Sequence, residues 1–422
     1  MVIVGAGQAA AQAVETLRKR GATGPVTLIG EEPLLPYQRP PLSKKFLAGA
    51  LERDRLLIRH AAHYLEHAVD LRLGFAAVNV DRAGRRVEIA DGSAVEYDRL
   101  LLATGAHARL LDVPGAELAG VYYLRSVADV DRLRSELTPQ RRAVIIGGGY
   151  IGLEAAATCR EAGLEVTVLE AADRVMNRVV CPEVSRFYEA EHARHGVRIL
   201  CSTRVECLVP GRETGITSRR TEPQVFPVSR PGTERVAAVR LADGSEIPAD
   251  FVLVAIGVAA SDALARAAGL DCDNGILVDE FCRTCDPQVF AAGDCARHPS
   301  IHYGVRVRLE SVDNAFEQGT SAALNMLGLA TVHDKVPWFW SDQFDLKMVI
   351  VGLTFGHDAT ILRGDPASRS FSVCYLKNGE LIAVETVNQT KDQMAARKLI
   401  ATRLRPDPLK LADPLVALRD AV

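Results

Sequence analysis

The chain has 422 residues, enough for two or three domains at roughly 150 residues each. Hydrophobic residues make up 48% and charged residues 24%, a balance that fills a sizeable core without disulfides. A net charge of -3 argues against a nucleic-acid binder, 5% aromatics against a single-strand stacking surface, and no apolar run approaches the roughly 18–20 residues of a membrane span.

Met1-Val2-Ile3-Val4-Gly5 starts directly as a buried strand with no charged leader, which predicts a cytoplasmic protein. Apolar residues at helical spacing predict a helix over 9–20, and 26–29 predicts a second strand, closing a βαβ unit. Residues 86–90 and 94–97 flank Asp91-Gly92 as a hairpin, and an apolar strand leads into Ala103-Thr104-Gly105. The same series returns: strand 143–146, helix 151–162, strand Glu165–Leu169, a hairpin about Asp243-Gly244, then an apolar strand ending at Gly257. The duplication predicts two dinucleotide-binding domains. Residues 211–235 are turn-forming and polar, and read as an enlarged hairpin loop whose arginines are surface charges rather than a docking patch. Strands about 338–352, 370–376 and 381–388 and a helix over 391–404 predict a separate C-terminal α+β domain.

Two glycine loops carry the chemistry. Gly5-Ala6-Gly7-Gln8-Ala9-Ala10 sits between strand and helix, the context that makes the motif credible. Gly5 allows the tight turn, Gly7 lets backbone approach a pyrophosphate at the helix N-terminus, and Ala10 keeps the packing close. Glu31 follows the second strand, placed to accept from a ribose. In the second loop, Gly147, Gly149 and Gly152 play the glycine roles, and Glu170 ends the next strand. A carboxylate there favours a 2′-hydroxyl over a 2′-phosphate, which predicts NADH over NADPH; Arg174 reads as a solvated charge. Two nicotinamides in one chain would be chemically idle, whereas one flavin and one nicotinamide give hydride transfer. Thr284 to Asp294 resembles the flavoprotein motif T-x5-F/Y-A-x-G-D, whose final aspartate binds the ribityl chain of FAD.

Further segments carry a resemblance. They are Pro36-Tyr37-Gln38-Arg39-Pro40-Pro41-Leu42-Ser43-Lys44, Ala103-Thr104-Gly105, residues 147–154, Gly293-Asp294-Cys295-Ala296, Glu310-Ser311-Val312 and Pro337-Trp338-Phe339-Trp340-Ser341-Asp342-Gln343. Through them the chain resembles the FAD-dependent pyridine nucleotide-disulfide oxidoreductases of glutathione-reductase fold. Within that group it is similar to the ferredoxin reductases that serve bacterial P450 and Rieske-type oxygenases. The resemblance implies an α/β architecture of two Rossmann-type domains and a C-terminal α+β domain. It implies an FAD domain over 1–108 and 240–325, an NAD domain over 109–239 and the C-terminal domain over 326–422. It places Lys44 beside the flavin, paired with Glu154, and Tyr150 over the flavin until NADH displaces it. It also assigns Thr104, Gly105, Arg125, Gly293, Asp294, Ser311, Val312 and Trp340 to FAD, and implies a 2Fe–2S ferredoxin as acceptor, with the reductase a monomer or weak homodimer. One member of the group has Arg where this chain has Thr320, so charge complementarity to the ferredoxin is expected elsewhere.

Residues 1–158 hold no cysteine, so thiol chemistry against the flavin is excluded unless a distant cysteine folds in. Nine cysteines, an odd number, do not suit a secreted disulfide framework, and Cys282-Arg283-Thr284-Cys285 lacks the helix start that a redox pair needs. No second ligand pair suggests zinc. Alternatives on the same fold are an NADH oxidase and a rubredoxin or monodehydroascorbate reductase. An apoptosis-inducing-factor-like protein, a non-enzymatic alternative, would need a basic surface or long C-terminal insertion.

Overall fold

Short, fully buried apolar strands between Ala-rich helices are the sequence signature of a parallel sheet covered on both faces. The computed structural model describes residues 1–211 and 234–421 and bears this out twice. Most of the loop expected at 211–235, with four of its arginines, lies outside the described residues, while Arg235 donates to Glu136 at 2.6 Å. The chain divides into two compact units. One holds Met1–Arg39, Glu52–His107 and Val258–Val422; the other holds Pro40–Leu51 and Ala108–Gly257.

In the first unit a parallel sheet runs in the order Val289–Ala291, Leu100–Leu102, Val2–Val4, Val26–Gly30, Val69–Leu73. The second unit repeats the plan with Val121–Tyr123, Phe251–Val254, Arg142–Ile146, Glu165–Leu169 and Arg198–Leu200. The correspondence extends to single hydrogen bonds. Gly5 N–H donates to Ile29 C=O at 2.8 Å, and Gly147 N–H to Leu169 C=O at 2.8 Å. Each unit also carries a three-stranded antiparallel meander, Ala77–Asp81, Arg86–Ile89, Ala94–Glu96 in the first and Val205–Pro210, Val236–Leu241, Glu246–Pro248 in the second. Both tight turns use one device: the Asp91 and Asp243 carboxylates accept from the backbone and hydroxyl of the serine two residues on, at 2.9 and 2.6 Å in each case. The intervening Gly92 and Gly244 take φ of +87° and +85°.

The domain division differs from the expected one. Residues 240–257 belong to the second unit, because Phe251–Val254 pairs with Arg142–Ile146 and with Val121–Tyr123. Pro40–Leu51 joins the second unit too, and 326–422 clusters with the first. The C-terminal part is a five-stranded antiparallel sheet ordered Trp338–Gln343, Leu346–Gly352, Glu380–Val387, Ser370–Lys377, Ala359–Asp365. The helix Thr390–Ala401 packs on it through Ala396, Leu399 and Ile400.

In the first unit the helices Gln8–Lys19 and Val312–Met326 pack against each other through small residues, with a glycine at one close approach. A Cβ added to Gly319 would stand 2.5 Å from the Ala9 carbonyl oxygen, so only glycine lets the two backbones meet there.

Candidate active site

Each unit builds a glycine cradle of its own. In the first unit, Val2–Val4 ends at Gly5, whose φ is +110° and whose absent Cβ would lie 2.1 Å from the Ala103 carbonyl oxygen. Gly7 caps the helix Gln8–Lys19 without a side chain, and nothing lies within 4 Å of the Cβ it lacks. The first turn of that helix thus presents amides that no side chain caps, with room in front of them. That is the requirement for a pyrophosphate. Ala10 is fully buried beneath it.

Glu31 is exposed at the end of Val26–Gly30, and its neighbour is the more constrained acid. Glu32 accepts from the Tyr37 hydroxyl at 2.7 Å and from Arg39 Nη2 at 2.8 Å. The Arg39 guanidinium also lies over the Tyr37 ring, 5.0 Å from its centroid. Burial alone would lower the Arg39 pKa, but Tyr37, Glu32 and Asp294 outweigh it and raise it, which places Arg39 within the field of Asp294. Spacing announces no role for Arg39; the fold sets it against Glu32 and within the field of Asp294.

Thr104 donates to the Ser261 carbonyl at 2.6 Å, and the Gly105 carbonyl accepts from Ser261 N–H at 3.0 Å, fixing the end of Leu100–Leu102. Gly293 has φ +83° and follows Val289–Ala291, which brings Asp294 to the same end of the sheet. Ser311 caps the helix Val312–Met326 by accepting from Asn314 N–H at 3.1 Å. In that first turn burial pushes the Asp313 carboxyl up, against Arg397 and hydrogen bonds to Trp338. Trp340 stacks on Trp338, with centroids 5.2 Å apart at 32°, and packs against the C-terminal core while staying half-buried.

The second cradle repeats the first. Gly147 has φ +110°, and its absent Cβ would lie 2.4 Å from the Ala255 carbonyl oxygen. Gly149 caps the helix Tyr150–Glu161 with open space at its Cβ position, and Gly152 lies so close to the Gly147 carbonyl that a Cβ would be 2.0 Å away. Glu170 is held at the loop, one oxygen accepting from Gly148 N–H at 2.7 Å and the other from Ala172 N–H at 2.8 Å. Arg174, expected to be a solvated charge, donates instead to Val180 C=O at 2.8 Å, Ser185 Oγ at 2.7 Å and Asn177 C=O at 2.9 Å. Those bonds occupy the guanidinium within the protein.

Lys44 and Glu154 come together in this unit. Lys44 Nζ is 2.7 Å from Glu154 Oε2, with the lysine side chain 18% and the glutamate 2% exposed. Ser43 Oγ donates to the same oxygen at 2.5 Å, and Thr158 Oγ1 to the Ser43 carbonyl at 2.8 Å. A buried carboxylate with two charge-assisted donors is a fixed one. Tyr150 is the first residue of the same helix and half-buried, and Arg125 begins the capping segment of Val127–Arg134, its N–H donating to Asp129 at 3.0 Å.

The buried thiols near the first cradle are poor nucleophiles. Cys282 is buried and burial pushes its thiol up, while Cys285 is exposed; both are free. Cys295 is a distant cysteine that does fold in beside Thr104 and Gly105, but burial raises its pKa and it donates to Ala292 C=O at 3.4 Å. A buried, protonated thiol is no nucleophile. Among the described residues no cluster of His, Cys, Asp or Glu is placed to hold a metal, and no helix is long and apolar enough to cross a membrane.

Residues 1–319 match the family model for pyridine nucleotide-disulphide oxidoreductases, and 338–422 that for the reductase C-terminal domain. The chain belongs to the pyridine nucleotide-disulphide oxidoreductase family. Rhodocoxin reductase of Rhodococcus erythropolis is 42% identical over 424 residues, 100% of this chain and 94% of that protein. The ferredoxin–NAD(+) reductase component of the anthranilate 1,2-dioxygenase system of Burkholderia cepacia is 39% identical over 419 residues, 99% of this chain and 98% of that protein. Among solved structures, the reductase in the covalent putidaredoxin reductase–putidaredoxin complex superposes with a TM-score of 0.92 at 38% identity, covering 99% of this chain and 96% of that one. Oxidoreductases of this family use FAD and NAD(P)H. Both fit: each unit has an N-terminal helix cradle uncapped by side chains and open at its middle glycine.

Proposed function

We propose that the chain is an NADH-dependent reductase that passes electrons through FAD to a 2Fe–2S ferredoxin, which in turn feeds a P450 or Rieske-type oxygenase. The observation that carries this is the pair of open glycine cradles in a chain with no cysteine before Cys159. The relatives named rhodocoxin reductase and ferredoxin–NAD(+) reductase component, and the solved complex of a reductase with putidaredoxin, support the acceptor.

In this reading Gly5, Gly7, Ala10, Glu31, Thr104, Gly105, Gly293, Asp294, Ser311 and Val312 hold FAD, with Arg39 and Glu32 added from the geometry. Arg125 and Trp340 complete its surroundings, and Gly147, Gly149, Gly152 and Glu170 hold NADH. When bound, FAD accepts a hydride and releases its two electrons singly. Lys44 supplies a fixed positive charge where negative charge develops, because the Glu154 carboxylate locates its ammonium. Ser43 and Thr158 keep that carboxylate still. Tyr150 guards the head of the second cradle, and Glu170 accepts from ribose hydroxyls and repels a 2′-phosphate. Trp340 lies in the aromatic segment that contacts the ferredoxin. Nine cysteines, none in a disulfide and five of them buried, suit a reducing cytoplasm.

Acid precipitation of purified protein is expected to release FAD into the supernatant. Steady-state kinetics should favour NADH over NADPH by at least roughly tenfold in kcat/KM. FMN in place of FAD, or equal kcat/KM for the two nucleotides, would contradict the assignment of the cradles.

A further inference from the structure

The segment that carries Asp294 is secured by a side chain that no motif singled out. Gln318 lies on the buried face of the helix Val312–Met326, its side chain fully out of solvent. Its Oε1 accepts from Gly293 N–H at 2.8 Å, immediately before Asp294. That bond fixes the amide orientation and turns Nε2 toward His298 Nδ1, 3.3 Å away. Nε2 is a donor only, so His298 Nδ1 must accept and the imidazole proton sits on Nε2.

The surroundings keep this arrangement single-valued. Asn314, one turn earlier on the helix, donates to Gln318 Oε1 at 3.4 Å, and its own Oδ1 faces His333 Nε2 at 3.3 Å. His298 and His333 meet edge to face, 4.7 Å between centroids. Burial first, then His333 and Arg306, holds His298 at about 3, and burial holds His333 at about 4, so both rings are neutral near pH 7. Gly319, next to Gln318, lies where the helix closely approaches the Ala9 backbone.

We infer that Gln318 is the positioning residue for Asp294: one buried amide ties down both ends, Gly293 and His298, of the segment that presents the carboxylate. This rests on the reading that Gly293-Asp294 holds FAD. Buried polar networks are costly when half satisfied and specify one geometry when complete. Removing the Gln318 acceptor leaves the Gly293 N–H buried and unpaired, at a turn whose φ already lies in the left-handed region.

The test is FAD affinity, read by flavin fluorescence as FAD is titrated into apoprotein whose fold is checked by circular dichroism. Gln318→Met keeps the side chain's size without its polar ends. It is expected to weaken FAD roughly tenfold, while KM for NADH stays unchanged because the second cradle lies in the other unit. Gln318→Glu keeps an acceptor for Gly293 N–H and loses the donor to His298; it should bind FAD between wild type and the Met variant, and it serves where the Met variant fails to fold. Asp294→Ala should weaken FAD, and adding Gln318→Met to it should cost little more, since Gln318 acts through Asp294. Wild-type FAD affinity in the folded Gln318 variants, or fully additive losses with Asp294→Ala, would overturn the assignment. A wild-type apoprotein that takes up no FAD would instead overturn the reading of the cradle, and this inference with it.

Discussion

The Lys44 ammonium stands 2.7 Å from a glutamate that is 2% exposed, and the same oxygen of that glutamate takes the Ser43 hydroxyl. A lysine so held is not a surface charge, and its value is greatest when negative charge builds up beside it. Lys44→Met is therefore expected to slow flavin bleaching by NADH at least roughly tenfold in stopped flow while FAD stays bound. An unchanged rate would return Lys44 to a structural role. Glycines 5, 7, 147, 149 and 152, Glu170 and Asp294 were legible in the sequence because local spacing in a strand–turn–helix context dictates them. Lys44 and Glu154 were legible only through the resemblance. Arg39, Ser43, Thr158 and Gln318 were not legible at all, because their partners are distant in the chain or act only through the fold. Ser43 and Glu154 are 111 residues apart, and Gly293 and Gln318 are 25 apart. Arg174 was misjudged for the same reason: its partners are carbonyls and a hydroxyl that spacing does not announce.

At the scale of elements, the contact between Gln8–Lys19 and Val312–Met326 joins the first glycine cradle to the segment behind Asp294. The contact depends on Gly319, whose φ is ordinary but whose missing Cβ leaves room for the Ala9 carbonyl. Gly319→Val should force the helices apart, lowering stability by about 1–3 kcal/mol and weakening FAD binding with it. Thermal unfolding of apo and FAD-loaded protein checks this, and an unshifted melting temperature would contradict it. The two βαβ units were legible because short apolar runs, Ala-rich helices and Asp-Gly turns recur in one order. The first strand of each meander, Ala77–Asp81 and Val205–Pro210, and the edge strand Ala359–Asp365 were not, because half-exposed strands lose the two-residue alternation that marks them.

For the whole molecule, the duplicated sheets explain why one chain offers two dinucleotide cradles, and why the division expected from sequence misplaced residues 240–257. Periodicity locates strands but says nothing of which sheet each will join; register with Arg142–Ile146 decides it. Electrons entering from NADH are expected to leave to an iron–sulfur protein rather than to a thiol or to dioxygen. The direct measurement is NADH-driven cytochrome c reduction with and without added 2Fe–2S ferredoxins, run beside NADH–ferricyanide activity and oxygen uptake. A ferredoxin is expected to raise cytochrome c reduction at least roughly tenfold above the oxygen-uptake background. Trp340→Ala should lower that ferredoxin-dependent rate far more than ferricyanide reduction, which needs no docking surface. Cytochrome c reduction that no ferredoxin raises above the oxidase background would contradict the account and favour an NADH oxidase.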